Sequence, residues 1–476
     1  MSPATWPLIV VGGGPAGIAA ATEAARAGLR CLIVDEAPAL GGQIYRQPPG
    51  EFRIPDARRL GRDHRRGERL RAELAAAGDR VEVRSGTSVV DIVDGRTVVC
   101  VGPGAALRSL PAERLVLATG AYDRPVPFPG WTLPGVLTAG GAQTLLKTMR
   151  IRPGERALVS GTGPLLLVVA GQLHQAGVRV VAVLDAGGSA YTPRTLARAW
   201  RQVGLLRDGA RYRLALARAG IPVRYHHSVF AAYGEGAVEV VEYGPVGPGD
   251  WRPIQQRERF AEVDLLVVGY GFVPNVELSE LAGCRTEYVP ALGGWVPVRD
   301  ESMQTTVPGV FAVGDGAGVA GALVAVEEGR LAGIAAAEQA GVLSAADAGH
   351  RRRRPQRRLR ALAPVRDALD ALSAIRPGLS ELATDETLLC RCEEVTRAQV
   401  CDAVAQGAGD LQAVKLLTRL GMGACQGRNC APSTAGLLGC APGAAGRINP
   451  RPPVRPVTLA TLARQARQAR QEGGTR

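Results

Sequence analysis

A strand, a glycine-rich turn, a helix and a second strand follow one another at the start of the chain, and this pattern constrains the fold most. Residues 8–36 read LIVVGGGPAGIAAATEAARAGLRCLIVDE, in which both apolar runs suit buried strands. Gly12 permits the tight turn, Gly14 lets a pyrophosphate approach the backbone, and Gly17 lets the helix pack close to the strand. The pattern predicts a dinucleotide-binding unit.

The two ends of this unit supply matching chemistry. The helix N-terminus, around Pro15 and Ala16, offers free N–H groups and the positive end of the helix dipole to phosphates. Asp35 or Glu36, at the end of the second strand, can accept hydrogen bonds from a ribose 2′-hydroxyl and would repel a 2′-phosphate. A purely structural glycine turn is the alternative, and the acidic strand end argues against it.

Three later segments of the chain are also predicted to contribute to the dinucleotide site. Gly41 and Gly42 form a flexible turn whose backbone can approach a cofactor. Residues 114–120, RLVLATG, form a buried strand with a small-residue end, and residues 310–318, VFAVGDGAG, form another strand that ends beside glycines. The residues that these two strands bring to the site are Ala118, Thr119, Gly120, Gly314 and Asp315. The carboxylate of Asp315 can hydrogen-bond a ribityl or ribose hydroxyl, and a helix N-cap is its alternative role.

The strand-turn-helix pattern recurs at residues 156–186, RALVSGTGPLLLVVAGQLHQAGVRVVAVLDA. Gly161 and Gly163 repeat the first two glycines, and Asp185 ends the next strand, but Leu166 stands at the third glycine position. Because a side chain there should push the helix outward, the sequence disfavours a pyridine nucleotide. The ligand of this second unit is left open between NAD or NADP, another nucleotide such as ATP, and none.

Four of the nine cysteines form a spaced group near the C-terminus. Cys390 and Cys392 give C-x-C, and Cys425 and Cys430 give C-x4-C after a long gap. Both pairs are predicted on loops beside short helices, where four thiolates suit zinc or a [2Fe–2S] cluster. Zinc sites more often use C-x2-C, so the spacing favours iron–sulfur.

The formal net charge of +13 is concentrated in two segments, an arginine-rich stretch at 350–360 and the C-terminal tail. No recognition motif or aromatic interleaving accompanies it, so we expect no nucleic-acid partner. A docking face for an acidic subunit or an anionic membrane is the alternative use of the basic stretch. The sequence shows neither a leader peptide nor a transmembrane segment, which predicts a cytoplasmic protein.

The predicted fold class is α/β, with two Rossmann-like dinucleotide-binding domains, the second inserted in the first, and a small, mostly helical C-terminal module. The predicted boundaries are 1–147 and 264–341 for the first domain, 148–263 for the inserted domain, 342–384 for a basic linker, 385–445 for the cysteine module and 446–476 for a basic C-terminal arm.

Five motifs together resemble the flavin-containing subunit of hetero-oligomeric amine and amino-acid dehydrogenases. They are VVGGGPAG, VDEAPALGGQIYRQ, LATGAYDRPVPFPGWTLPGV, AVGDGAG and the C-x-C…C-x4-C group. This family includes the alpha subunit of D-hydroxyproline dehydrogenase, the B subunit of hydrogen cyanide synthase and the A subunit of opine oxidases, with partial similarity to sarcosine oxidase alpha. The similarity runs over nearly the whole chain, and the segment at 118–136 is far more specific than the glycines.

The resemblance implies which cofactors the chain holds. FAD would lie on the residues already named and on Gln43. The C-terminal module resembles bacterioferritin-associated ferredoxin, which implies a [2Fe–2S] cluster on Cys390, Cys392, Cys425 and Cys430, although the usual second pair there is C-x2-C. The resemblance also leaves open a second flavin, FMN, at a subunit interface.

The resemblance further implies that the chain is one subunit of an oxidoreductase for CH–NH donors. A partner subunit with its own FAD would oxidise the amine, and this chain would pass electrons to a small iron–sulfur subunit, a ferredoxin or a quinone. The complex would be cytoplasmic or peripheral at the inner membrane face. No catalytic acid or base can be named from the sequence.

The sequence raises three other functions. A self-sufficient NAD(P)H-dependent reductase that feeds its own cluster is favoured by Gly161, Gly163 and Asp185 and opposed by Leu166. A disulfide reductase needs a redox cysteine pair near the flavin, and none is present there. A flavin-bearing scaffold with a zinc module is the non-enzyme alternative.

Overall fold

The computed structural model describes residues 5–53, 61–189, 203–254 and 257–473 of the 476-residue chain. Its strands are β1 (Leu8–Val11), β2 (Cys31–Val34), β3 (Val81–Arg84), β4 (Ser88–Val93), β5 (Thr97–Val101), β6 (Leu107–Pro111), β7 (Leu115–Leu117), β8 (Ala121–Asp123), β9 (Val136–Thr138), β10 (Arg156–Gly161), β11 (Arg179–Asp185), β12 (Val223–Tyr225), β13 (His227–Tyr233), β14 (Val240–Pro245), β15 (Glu258–Ala261), β16 (Leu265–Gly269), β17 (Phe272–Pro274), β18 (Thr286–Val289), β19 (Gly294–Pro297), β20 (Val310–Ala312), β21 (Leu388–Cys390) and β22 (Val395–Thr396). Its α-helices are α1 (Pro15–Arg26), α2 (Gly61–Ala75), α3 (Ala139–Gln143), α4 (Leu165–Gln175), α5 (Val203–Arg218), α6 (Glu277–Leu281), α7 (Ala322–Gln339), α8 (Ala345–Ser373), α9 (Arg397–Ala405), α10 (Leu411–Thr418), α11 (Ala431–Thr434) and α12 (Leu459–Gly473).

The first sheet is parallel and has the strand order β20-β7-β1-β2-β3. The four residues of β1 are all buried, as are those of β2, because helices cover one face of the sheet and the antiparallel strands β4 to β6 cover the other. Val10 lies opposite Ile33 on one side and Val116 on the other. Since the strands run in the same direction, the loops that follow them meet at one edge of the sheet.

Helices α1 and α7 pack with their backbones in contact over this sheet. A Cβ at Gly329 would lie 2.1 Å from the Ala16 carbonyl oxygen, and one at Gly333 would lie 2.3 Å from that of Ala20. Only glycine permits this approach. The contact fixes the start of α1, and with it the glycine-rich turn, against the body of the domain.

The second sheet is also parallel, with the order β12-β11-β10-β16-β9. The second sheet therefore includes β9 and β16. The predicted domain boundaries at 147 and 264 place both strands in the first domain. The physical reason is pairing: β16 lies beside β10 over five residues, and β9 extends the sheet from β16. The two chain crossings between the sheets, β8 and β17, pair with each other in antiparallel fashion.

The segment predicted as a basic linker contains a 29-residue helix, α8. Its N-cap is Ser344, whose side chain accepts a hydrogen bond from the Asp347 N–H. On its inner side Arg358 pairs with Glu327 of α7 at 2.7 Å. The arginine-rich composition suggested a solvated linker, but arginines of the helix meet carboxylates of α7, and these contacts support the helix.

The cysteine module has a core of its own, which includes Leu389, Val400, Val414 and Leu420. Helix α9 begins with the capping box formed by Thr396 and Gln399, as the sequence predicts.

The C-terminal arm then runs back over the first domain, where Val454 is buried. Residues 474–476 of the predicted arm lie outside the described residues. In the described ranges, no helix has the length and apolar character needed to cross a bilayer.

Candidate functional site

The glycine-rich turn after β1 packs closely against its neighbours because its glycines have no side chains. Gly12 has a φ of +101°, and a Cβ there would lie 2.2 Å from the Ala118 carbonyl oxygen. A Cβ at Gly17 would lie 1.9 Å from the Gly12 carbonyl oxygen. Each glycine is thus required by a close backbone contact, in agreement with the roles expected of Gly12 and Gly17.

The structure separates the two acids at the end of β2. Asp35 is buried and accepts hydrogen bonds from the N–H groups of Gly13 and Ala37, the latter at 2.7 Å. Burial raises the pKa of this carboxyl above its ordinary value. Glu36 is exposed and lies 3.5 Å from Arg455 of the C-terminal arm. Asp35 is therefore the acid beside the glycine turn, and its carboxylate keeps lone pairs for further donors.

The turn at Gly41 and Gly42 closes over the glycine-rich turn. The Gly41 N–H donates to the Gly13 carbonyl oxygen at 2.8 Å, and a Cβ at Gly42 would lie 2.8 Å from the Gly14 Cα. Gln43, next along the chain, is exposed and accepts a hydrogen bond from Arg46. The structure thus brings Gly42 to the site and leaves the Gln43 side chain at its solvent-facing rim.

The ends of β7 and β20 complete the same edge of the sheet. A Cβ at Gly316 would lie 2.4 Å from the Thr119 hydroxyl oxygen, and one at Gly314 would lie 2.9 Å from the Ala16 Cβ. Gly120 has a φ of +68°, which favours glycine. The residues predicted to bind the dinucleotide therefore lie on the loops at this edge or in the first turn of α1, with the side chains of Glu36 and Gln43 exposed to solvent.

Asp315 hydrogen-bonds the backbone before α7 but is not the N-cap of that helix, which is Gly321. Its Oδ1 accepts hydrogen bonds from the N–H groups of Ala320 and Gly321, both at 3.0 Å, just before α7 begins. Burial raises the pKa of the carboxyl. Both bonds go to one oxygen, so Oδ2 is the atom that can receive a ligand hydroxyl.

These features test whether a flavin dinucleotide fits. A Cβ at Gly14 would have only the Gly42 Cα within 4 Å, so the backbone of the turn is open to a ligand there. Helix α1 presents its N-terminus, the buried Asp35 follows β2, and the half-buried Asp315 follows β20. This donor set matches a ligand with a pyrophosphate and several hydroxyl groups. The residues present fit FAD.

The four predicted metal ligands come together in the C-terminal module as two thiol pairs. The Cys430 thiol hydrogen-bonds the Cys390 sulfur, and Cys392 contacts Cys425. The hydrogen bond from Cys430 and backbone N–H groups, the first of them that of Gly421, lower the pKa of Cys390 to about 5. The same bond and burial raise the pKa of Cys430.

The backbone packs tightly around these sulfurs. A Cβ at Gly423 would lie 2.3 Å from the Cys392 Cβ, so the loop needs glycine there. Within the described ranges, no three His, Cys, Asp or Glu side chains converge as a site for one metal ion. Two thiol pairs with backbone N–H donors match the four cysteine ligands of a [2Fe–2S] cluster.

The second dinucleotide-like unit departs from the first at Leu166. This side chain is fully buried and lies close to Gly269 of β16. Since Gly17 leaves no room for a Cβ at the matching point of the first unit, the start of α4 has to stand farther from the preceding turn. Asp185 accepts a hydrogen bond from the Gly187 N–H at 2.9 Å, and burial raises its pKa to about 6.

Sequence reasoning missed a buried ion pair between the two candidate cofactor sites. Arg428 lies in the loop between Cys425 and Cys430, and its Nε is 2.9 Å from the carboxylate of Glu277. The position of an arginine inside the C-x4-C spacing was a signal for Arg428. Nothing local marks Glu277, which is 151 residues away in the chain.

Two family comparisons match these two parts of the chain. Residues 6–341 match the family described as pyridine nucleotide-disulphide oxidoreductase. Residues 388–439, which contain all four cysteines of the pairs, match the BFD-like [2Fe–2S] binding domain. The matches agree with a flavin-binding region followed by a cluster-binding module.

Full-length relatives include components of multi-subunit oxidoreductases. The chain is 35% identical to the HcnB subunit of hydrogen cyanide synthase from Pseudomonas protegens, over 94% of this chain and 95% of the relative. It is 34% identical to the A subunit of opine oxidase from Agrobacterium tumefaciens, over 95% of this chain and 90% of the relative. The alpha subunit of sarcosine oxidase from a Corynebacterium species is 29% identical, but the match spans only 32% of that longer protein.

Among solved structures, L-proline dehydrogenase from P. horikoshii shares the fold, with a TM-score of 0.68, 22% identity, and coverage of 97% of this chain and 80% of that one. The fold class is thus confirmed as an α/β flavoprotein fold with a helical C-terminal module. The chain belongs to the pyridine nucleotide-disulphide oxidoreductase family, as a flavin oxidoreductase subunit related to HcnB and the opine oxidase A subunit that carries a BFD-like [2Fe–2S] binding domain.

Proposed function

We propose that this chain is the electron-transfer subunit of a hetero-oligomeric amino-acid, imino-acid or opine dehydrogenase. Full-length similarity to the HcnB subunit of hydrogen cyanide synthase and to the A subunit of opine oxidase carries the proposal. A partner subunit with its own FAD oxidises the CH–NH bond of the substrate. This chain receives the electrons and delivers them to a small iron–sulfur subunit, a ferredoxin or a quinone. The complex works in the cytoplasm or at the inner face of the membrane.

The residues of this chain act by holding and orienting two redox groups. When bound, FAD supplies two-electron chemistry and the [2Fe–2S] cluster one-electron chemistry. The glycine turn and the α1 N-terminus bind the pyrophosphate, and Asp35 and Asp315 receive hydroxyl groups. The residues assigned to the flavin are Gly12, Gly14, Pro15, Ala16, Gly17, Asp35, Gly42, Gln43, Ala118, Thr119, Gly120, Gly314 and Asp315. Glu36, the alternative acid, is left out because it is exposed and faces Arg455. The thiolates of Cys390, Cys392, Cys425 and Cys430 bind the cluster.

A self-sufficient NAD(P)H-dependent reductase is the second candidate. Gly161, Gly163 and Asp185 reproduce part of a nucleotide site in the inserted domain, which favours this function. The buried side chain of Leu166 speaks against it, because the close helix contact that a pyridine nucleotide site uses is replaced by leucine packing. For the inserted domain, both alternatives stay open: it binds a nucleotide, or it binds no ligand.

Reduction by substrate through a partner tests the proposal. The chain is co-expressed with a candidate amine-oxidising flavin subunit, and the purified complex receives candidate amino acids, imino acids or opines without oxygen. We expect the electron paramagnetic resonance (EPR) signal of the reduced cluster to develop only when both subunits and the substrate are present. The same signal from this chain alone with substrate, or its absence from a complex that oxidises substrate, would overturn the proposal.

A further inference from the structure

A buried ion pair joins the cysteine module to the flavin-binding domain. Arg428 Nε lies 2.9 Å from Glu277 Oε1, and both side chains are 9% exposed. Arg428 belongs to the loop between Cys425 and Cys430, whereas Glu277 is the first residue of α6 in the other domain. Charges shielded from water interact with neighbouring groups far more strongly than charges at the surface.

The remaining donors of Arg428 hold the ligand loop itself. Its Nη1 donates to the Cys425 carbonyl oxygen at 3.3 Å, and its Nη2 donates to the Val454 carbonyl oxygen at 2.7 Å. The guanidinium therefore sits against the backbone of a predicted cluster ligand. Its position is fixed on three sides, by Glu277, by the ligand loop and by the C-terminal arm.

Glu277 in turn connects to the predicted flavin site through Asn275. The Thr119 hydroxyl donates to the Asn275 carbonyl oxygen at 2.6 Å, and the Asn275 N–H donates to the Gly120 carbonyl oxygen at 2.9 Å. The side-chain amide of Asn275 donates to the Glu277 carboxylate, and its oxygen accepts a hydrogen bond from Arg455 at 3.2 Å. A continuous set of contacts thus runs from the flavin loop at 119–120 to the cluster loop.

A second ion pair joins the same two parts of the molecule and serves as a natural comparison. It involves Arg447, which lies beyond the predicted boundary at 445 but between Ala445 and Ile448 of the module's core. Glu280, also on α6, pairs with Arg447. Arg447 lies outside the Cys425–Cys430 loop, and the two side chains are more exposed, at 16% and 19%. Its guanidinium lies 5.6 Å from the centre of the Trp295 ring. This pair joins the domains without touching the ligand loop.

We propose that Arg428 and Glu277 set the reduction potential of the [2Fe–2S] cluster, in addition to docking its module on the flavin-binding domain. The inference rests on the four-cysteine ligand set and does not require the amine-oxidising partner. A reduced cluster carries one more negative charge than an oxidised one, so the Arg428 guanidinium favours reduction and the Glu277 carboxylate opposes it. The two residues act on the cluster through charge and are positioning residues, not ligands.

Because the two residues carry opposite charges, removing them should shift the potential in opposite directions. A pair that only held the domains together would not produce shifts of opposite sign. The full-length protein with FAD and cluster is titrated with dithionite under EPR detection, which measures the midpoint potential without substrate or partner. Arg428→Gln should lower the potential and Glu277→Gln should raise it, each by at least a tenfold change in the one-electron equilibrium constant, about 59 mV. The double variant should return toward the wild type.

Three further variants serve as matched controls. Arg447→Gln and Glu280→Gln should leave the potential unchanged, although both remove a contact between the same domains. Arg428→Lys should keep most of the wild-type potential because it keeps the charge. If Arg428→Gln fails to hold the cluster, Glu277→Gln still tests the predicted rise in potential, and Arg428→Lys still tests whether the charge is sufficient. Shifts in the same direction for both partners of the pair, no shift in a protein with full iron content, or an equal shift in Arg447→Gln would overturn the proposal.

Discussion

Gly12 is a residue of the flavin site at which a side chain would collide with the backbone. Its φ is +101°, and a Cβ would lie 2.2 Å from the Ala118 carbonyl oxygen, so the turn cannot keep its shape with a side chain. We predict that Gly12→Ala loses most of its FAD and unfolds with a free energy about 1–3 kcal/mol lower. Flavin absorbance per protein and thermal unfolding measure the two effects. Gly104→Ala, where a Cβ meets open space, is the control and should keep both. Full flavin content in Gly12→Ala would contradict this view of the turn.

Cys425 tests the ligand assignment at a single atom. We predict that Cys425→Ser loses the iron and acid-labile sulfide of the protein but keeps FAD, because a serine hydroxyl is a poor substitute for a thiolate at iron. The exposed Cys440 in the same module provides the matched control, and Cys440→Ser should keep the cluster. Full iron content in the Cys425 variant would remove this residue from the ligand set. Zinc in place of iron in the wild type would instead favour the scaffold alternative.

Asp185 predicts a pH dependence of stability in the inserted domain. Burial raises the folded-state pKa from 3.8 to about 6, so the folded protein binds a proton more tightly than the unfolded chain does. The stabilisation is therefore complete below about pH 4 and is lost as the pH rises toward 6, a change of about 3 kcal/mol. Asp185→Asn should lack this slope when unfolding by urea is measured between pH 4 and 7. Identical slopes in the two proteins would contradict the raised pKa.

Residue identities were predictable where the chemistry is local in the chain. The glycines after β1, Asp35 and the cysteine spacing each follow from a short motif, because each role is fixed by neighbours within a few residues or one strand. The choice between Asp35 and Glu36 was not predictable, since it depends on which side chain faces the turn at Gly13. Arg428 and Glu277 meet only through the docking of two domains.

At the scale of elements, the contact between α1 and α7 depends on two glycines. We predict that Gly333→Ala lowers the free energy of unfolding by about 1–3 kcal/mol, because its Cβ would lie 2.3 Å from the Ala20 carbonyl oxygen. Gly349→Ala in α8 is the matched control, since no atom lies within 4 Å of its Cβ. That substitution should raise stability by about 0.5–1 kcal/mol, as expected for an exposed helix interior. Chemical unfolding measures the free energy of unfolding of both variants, which should fall for Gly333→Ala and rise for Gly349→Ala. Equal changes in the two variants would contradict the close contact between α1 and α7.

The elements themselves were predictable in proportion to the strength of their patterns. The β1-α1-β2 unit and its repeat at β10-α4-β11 follow from apolar runs around glycines. The assignment of β9 and β16 to the second sheet could not be predicted from the sequence. Apolar strands of three and five residues contain no local pattern that indicates which sheet they join. The segment of helix α8 was expected to be a linker because of its arginine-rich composition, and the helix also contains Pro355 and Pro364.

At the scale of the whole molecule, one chain holds a flavin site and a cluster site in contact through α6. Two ion pairs, Arg428–Glu277 and Arg447–Glu280, cross between the domains, and the C-terminal arm packs Val454 into the first domain. This arrangement suits a protein that conveys electrons between partners. The order of the domains followed from the sequence, whereas their contacts depend on long-range packing that no local pattern encodes.

The source of the electrons is the central claim, and an anaerobic titration tests it most directly. The purified chain, with FAD and cluster bound, receives NADH and then NADPH while the flavin and cluster absorbance are followed. Because Leu166 replaces the third glycine of the inserted domain, we predict that the flavin stays oxidised until dithionite is added. Prompt bleaching by one equivalent of NADH or NADPH would contradict the account and identify the chain as a self-sufficient reductase.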